Sequence, residues 1–264
     1  MVTQAQFHAM LKPLVARRSD LAFGKGCLVL QPVTHYLRFV TINGSRWDKE
    51  SFRPVYGVNQ LFDRLEHLII PVAAEYSHPA QTFWNRTRDG EAELFVEHVE
   101  QHILPLLEPV TDPAHHLAFA REHTDCPAPG GLPPGSLVRD HCFAGRYDAA
   151  QKELEDWFAD DDDYFSWAID LAEKERANPR RTRRGEPYFP ERTWIPRLGE
   201  QLPREAKDDL FWFWRDAYLL QLLRTDRSSI IPLLHEWEEY SVRAMKLEKY
   251  WHRTPFPAES VSSF

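Results

Sequence analysis

The sequence predicts an α+β fold, with an N-terminal helix on an antiparallel sheet followed by an all-α helical-hairpin region. Short apolar runs with strand character fill residues 26–62, and their connections are too brief for helical crossovers. Beyond Asp89 the apolar residues recur at helical spacing instead. Between these patterns and the C-terminal half, the stretch from Cys126 to Gly135 is dense in Pro and Gly, the strongest linker signal in the chain. One boundary is therefore expected, between an α+β domain, 1–125, and a helical domain, 126–264.

Phe7, Met10, Leu11, Leu14 and Val15 share a helical face, and Thr3 with Gln6 forms a capping box, so a helix is expected from Thr3 to Arg17. Pro13 should kink or shorten it, because proline removes a donor and crowds the preceding turn. Strands are expected over 26–31, 35–42 and 52–62, with a turn at Asn43–Gly44. Pro54 should put the third strand at an edge or delay its start, and one sheet face should stay open to a helix or a partner. Leu65 to Tyr76 reads equally as helix or strand.

Glu91 to Leu107 places Ala92, Phe95, Val99, Ile103 and Leu106 on one face, a helix closed by Pro105 and Pro109. Past the linker, helices over 136–144 and 147–158 flank a tight turn at Gly145–Arg146. The phrase from Phe143 to Ala150 resembles the turn of a tetratricopeptide-like hairpin, but no second copy follows at a period of about 34 residues, so a single hairpin is expected. Two apolar helices close the chain, Asp208 to Arg224 and one from Ser229 whose stripe runs through Leu233, Trp237, Tyr240 and Leu247 to Trp251.

Composition excludes several classes of function. With 43% hydrophobic and 27% charged residues the chain is foldable. Its longest apolar run, Leu68 to Ala74, falls far short of the ~20 residues of a membrane helix, and the first residues lack the pattern of an export signal, so a cytoplasmic protein is expected. Cys27, Cys126 and Cys142 are odd in number, widely spaced and without C-x-x-C, which encodes neither a disulfide framework nor a zinc ribbon. A net charge of −8 argues against a general nucleic-acid binder and suits a basic partner. Nine Trp must fill a core or anchor an interface.

Candidate chemistry is sparse. His98 and His102 stand one helical turn apart, as in many zinc sites, but the H-E-x-x-H order is missing and no third ligand is apparent, so a solvated face is the favoured reading. His123, Cys126, His141 and Cys142 are a looser set whose adjacent pair cannot converge from a helix. There is no G-x-S-x-G, no phosphate loop and no G-x-G-x-x-G. No catalytic residue, metal ligand or cofactor is therefore expected.

Charge, by contrast, is uneven. Between Asp148 and Glu175 eleven acidic residues face two lysines, a local charge of −9. As caps, Asp160, Asp161, Asp162 and Asp163 would serve the following helix; as a surface, they and Asp156 would steer a basic partner. These five are the expected partner-binding residues. Arg176, Arg180, Arg181, Arg183 and Arg184 follow at once, a basic loop read as neutralising the aspartates.

The phrases Leu11 to Leu14, Gln31 to Arg38 and Ser51 to Phe62, with Leu223 to Trp237 and Leu247 to Pro257, resemble the two ends of uncharacterised bacterial proteins that carry an N-terminal helix-plus-sheet domain of unknown function and a helical tail. Some such domains are encoded beside antibacterial toxins. The resemblance implies an immunity protein that neutralises a toxin by steric and electrostatic blockade; it brings no catalytic residue. The alternative is a hydrolase or modifying enzyme whose His and carboxylate groups are dispersed in sequence and converge only in the fold.

Overall fold

The computed structural model describes residues 2–24, 26–45, 47–65, 68, 73–75, 83–123, 134–159, 215–216 and 218–261. The fold is α+β. Helix α1 (Gln4–Arg17) opens with the expected capping box: the Thr3 hydroxyl accepts from the Gln6 amide, and the Gln6 side chain accepts from the Thr3 amide at 2.8 Å. The helix runs through Pro13 to Arg17 and buries Phe7, Leu11 and Leu14.

Strands β1 (Leu21–Phe23), β2 (Leu28–Leu30), β3 (Tyr36–Gly44) and β4 (Ser51–Gln60) form an antiparallel meander in sequence order. The far edge of β4 is shared by β5 (Ala73–Glu75), beside Val55 to Gly57, and β6 (Trp84–Asn85), beside Ser51 and Phe52. Strand β4 is thus internal, against the expectation from Pro54. Pro54 stands opposite Ile42 of β3, and on the other edge the described pairings reach Val55 in β5's register and Phe52 in β6's.

The long register of β3 on β4, from Tyr36 opposite Gln60 to Gly44 opposite Phe52, puts Tyr36, Arg38, Val40, Tyr56 and Val58 on one face. Helices cover it. Helix α2 (Glu91–His98) sets Phe95 edge-on to Phe52 at 5.0 Å and near Phe7 of α1, while α4 (Pro113–His123) sets His116 by Tyr36 and Phe119 edge-on to Tyr56. On the other face Leu37, Phe39 and Val55 are equally buried. Neither side of this part of the sheet is open, and helices take the face that was expected to be available to a helix or a partner.

The expected helix 91–107 is continuous but not uniform. A π turn, Val99–Ile103, joins α2 to α3 (Leu104–Leu107), with the Leu104 amide donating to the Val99 carbonyl. Pro105 gives the reason, since its ring would collide with the Gln101 carbonyl in a regular α-helix and a wider turn relieves that.

The chain forms two compact units, 1–133 with 233–256 and 134–232 with 257–264. The sequence reading, with its single boundary, did not foresee this return of 233–256 to the first unit. In the second unit α5 (Pro134–Phe143) and α6 (Tyr147–Ala159) pack as a hairpin. Gly145, at φ 72°, makes its turn, and a Cβ there would meet Ala258 of α8 (Pro257–Val261) at 3.3 Å. Helix α7 (Ile230–Met245) has its first three residues in the second unit and the rest in the first. It ends where Lys246 takes φ 58°, short of the expected Trp251. The following tail turns back to bridge Val33.

Candidate functional site

The tail positions a largely buried cluster of reactive groups within hydrogen-bond reach of one another. The Val33 amide donates to the Tyr250 carbonyl at 3.3 Å, and the His252 amide donates to the Val33 carbonyl at 2.9 Å. This short parallel bridge lays 250–252 beside the residues that lead into β3. Just beyond the bridge, His35, two residues past Val33, meets Thr254, three residues past Trp251.

The Thr254 hydroxyl lies 2.9 Å from His35 Nε2, and His35 Nδ1 lies 2.9 Å from Glu238 Oε1 on α7. A carboxylate oxygen of Glu238 would accept from Nδ1–H, and in that tautomer Nε2 would accept from the Thr254 hydroxyl. Glu238 is fully buried, His35 is 6% exposed and Thr254 is half-buried. His235, one turn before Glu238, brings Nδ1 to 3.6 Å from the second carboxylate oxygen.

Aromatic rings fix the imidazole. Phe256 is buried and stacks on His35 with centroids 4.4 Å apart and planes 22° from parallel, while its edge meets Phe62 and its other neighbour is His235. The Ser241 hydroxyl accepts from the Leu65 amide at 2.6 Å and donates to the Trp237 carbonyl, tying α7 to the end of the 3-10 turn that follows β4. Beside the cluster in sequence, a cleft of about 490 Å³ is lined by Glu239, Val242, Arg243, Trp251, His252 and Arg253. Arg253 donates to Glu239 at 2.7 Å across it.

The second unit holds a different buried cluster. Arg139 and Asp216 are 1% and 2% exposed and pair at 2.5 Å, with Arg215 Nε 3.6 Å from the same carboxylate oxygen. Gly135 lets them close: a Cβ there would stand 2.3 Å from Asp216 Oδ2 and 2.8 Å from Arg139 Nη1. Cys142 on the same helix is fully buried, and desolvation pushes its thiol up to about 12, as it does Cys27 in the first unit.

Of the expected partner-binding residues, Asp156 is on α6, exposed, and paired with Lys152 one turn earlier. Asp160, Asp161, Asp162 and Asp163, with the Arg176 to Arg184 segment and residues 208–214 and 217 of the expected 208–224 helix, lie outside the described residues. The acidic face of α6 is partly neutralised, since Glu155 accepts from Arg224 at 2.9 Å and Asp148 lies 2.7 Å from Arg227. His98 is buried against Trp84 with His102 beside it, and among the described residues no group of three or more His, Cys, Asp and Glu could hold a metal ion. Cys126 also lies outside the described residues.

Exposed large apolar side chains number three among the described residues: Trp47 at 97%, Leu94 at 54% and Phe83 at 39%. All belong to elements joined at β6. Phe83 precedes it under the Arg53 guanidinium, Trp47 lies in the β3–β4 turn whose base pairs with it, and Leu94 is on α2, whose Glu91 accepts from the Asn85 amide.

Sequence reasoning missed His35, His235, Glu238 and Thr254. His35 pairs with residues 203 and 219 positions away, a separation that one sequence does not signal. One sign was present: Leu234, Glu238 and Val242 stand four apart, so a carboxylate occupies the centre of an apolar helix line. No helix among the described residues is long and apolar enough to cross a membrane. Compared with protein-family models, curated proteins and solved structures, the chain gives no match.

Proposed function

We propose that the chain is a cytoplasmic protein-binding module, of the immunity kind that neutralises a basic toxin by covering its active or substrate surface. The observation that carries this reading is the exposure of Trp47, almost wholly in solvent in the β3–β4 turn, with Phe83 and Leu94 the other exposed large apolar residues among those described. Scattered apolar residues are ordinary on a surface, but a large aromatic held almost wholly in solvent on a hairpin turn suits an interface anchor. The acidic region 148–163 adds long-range attraction for a basic partner, raising the association rate more than the affinity. Asp156 and Asp160 to Asp163 are the steering residues, and blockade of this kind needs no cofactor.

The test is capture of the tagged full chain from its native cells together with the products of neighbouring genes, followed by binding kinetics on the partner recovered. A single stoichiometric basic protein is expected. Trp47→Ala should weaken it at least tenfold with thermal stability unchanged. Replacing Asp156 and Asp160 to Asp163 with Asn should slow association and flatten its salt dependence. Full affinity in the Trp47 variant, with unchanged association in the Asn variant, would refute the proposed surface.

A further inference from the structure

We propose that Thr254, His35 and Glu238 form an acyl-transfer site, an activity separate from partner binding, which acts on small carboxylic esters. The arrangement has the order a hydroxyl nucleophile requires. A hydroxyl is a poor nucleophile until a base takes its proton, and His35 Nε2 is 2.9 Å from the Thr254 oxygen. The base must hold one tautomer, and Glu238, 2.9 Å from Nδ1, sets it. Phe256, stacked on the ring, prevents it from turning away.

The burial gradient fits catalysis better than a purely structural bond. Glu238 is sealed, His35 nearly so, and Thr254 at the other end of the relay is only half-buried. Three residues that line the cleft, Trp251, His252 and Arg253, immediately precede Thr254 in the chain, and a fourth, Glu239, follows Glu238. Val242 and the Trp251 ring offer apolar surface there, and the charges of Arg243 and Arg253 are balanced by Glu239 and Glu248, Arg253 being bonded to Glu239. That lining suits a small uncharged ester with an apolar acyl group.

In the first half-reaction the Thr254 oxygen attacks the ester carbonyl carbon as its proton passes to His35 Nε2. The tetrahedral adduct collapses, the carbon–oxygen bond to the alcohol breaks, and the imidazolium returns that proton to the departing alkoxide. In the second, water adds to the acyl-threonine and loses its proton to His35, and the Thr254 oxygen leaves as it is reprotonated. The sum is ester plus water giving carboxylic acid plus alcohol. Thr254 and His35 are the catalytic residues; Glu238 is a positioning residue that acts through His35.

The experiment treats the full-length folded chain with p-nitrophenyl acetate, follows nitrophenol release, and maps the acetyl group on peptides after rapid quenching. Acetylation of Thr254 is expected, at a rate at least about a hundredfold above that of the denatured chain. Thr254→Val should abolish the adduct, Thr254→Ser should carry it on the new hydroxyl, and His35→Asn should lower acylation by about a hundredfold or more. Glu238→Gln should lower the acylation rate constant without raising KM, and should remove the downfield proton resonance of the Nδ1–H to carboxylate bond. Overturning results are an unmodified Thr254 in wild-type protein, acetyl groups only on lysines, or a Thr254→Val variant that releases nitrophenol as fast as wild type. The wild-type map decides the matter even if a variant fails to fold.

Discussion

The buried polar clusters of the two units differ most at their edges. In the second unit Arg139 and Asp216 face each other across 2.5 Å with both side chains out of water, and Gly135 closes over them because even a methyl group would collide. In the first unit the buried partner is Glu238, but its chain of hydrogen bonds runs through His35 to the hydroxyl of Thr254, a residue only half-buried. One cluster is closed at both ends and the other at one. A closed pair fixes which helices meet; a relay with an open end can also move a proton.

That contrast is broken most strongly at the closed pair. Arg139→Ala should cost about 3–5 kcal/mol in urea unfolding, because it leaves Asp216 buried beside an incomplete set of donors. The triple variant Arg139→Met, Arg215→Met and Asp216→Leu should regain most of that, since apolar groups of similar size need no partner. If the triple variant were as unstable as the single, the cluster would be supplying more than mutual neutralisation.

A smaller effect is expected at the relay. Glu238→Ala strands the Nδ1–H of His35 and should cost about 1–3 kcal/mol. Thr254→Val removes a hydrogen bond at a half-exposed position and should cost about 1 kcal/mol, leaving the fold in place. Equal losses in the two units would erase the distinction drawn between a closed and an open cluster.

The smallest effect lies at a surface network of the first unit. Arg18 donates to Asp20 at 2.8 Å and to Glu108 at 2.9 Å, and the hydrogen bonds from Arg18 hold the Asp20 carboxyl below its ordinary range. A depressed folded value stabilises the fold above the ordinary aspartate range, and that contribution fades as pH falls through the depressed value. Asp20→Asn should therefore lower the urea midpoint slightly at neutral pH and not at all in strong acid. A difference that persisted in acid would show that the two side chains are linked by packing and not by charge.

Local chemistry made much of the fold legible in the sequence. The Thr3–Gln6 capping box, the Gly145 turn and the apolar face of 91–107 each depend on residues within one or two turns, and the structure has all three. Pro105 was readable as a helix disturbance but not as a π turn, because the same clash can end a helix or widen it. Pro54 misled, because its strand is paired on both sides, with β3 from Phe52 to Gln60 and with β5 and β6 on the other edge. The relay was out of reach for another reason. It exists only because the tail after α7 returns to Val33, and His35, Glu238 and Thr254 each look ordinary in their own neighbourhoods. The acidic run was plain in the sequence, whereas its partial pairing with Arg224 and Arg227 was not.

The proton placement at His35 is the point on which the open cluster rests, and nitrogen-15 NMR of the histidine-labelled full chain measures it directly. Expected is a neutral ring protonated at Nδ1, with a slowly exchanging proton toward Glu238 and an unprotonated Nε2 that shifts in Thr254→Val. A ring protonated at Nε2 would contradict the relay, since His35 would then have no lone pair with which to take the Thr254 proton.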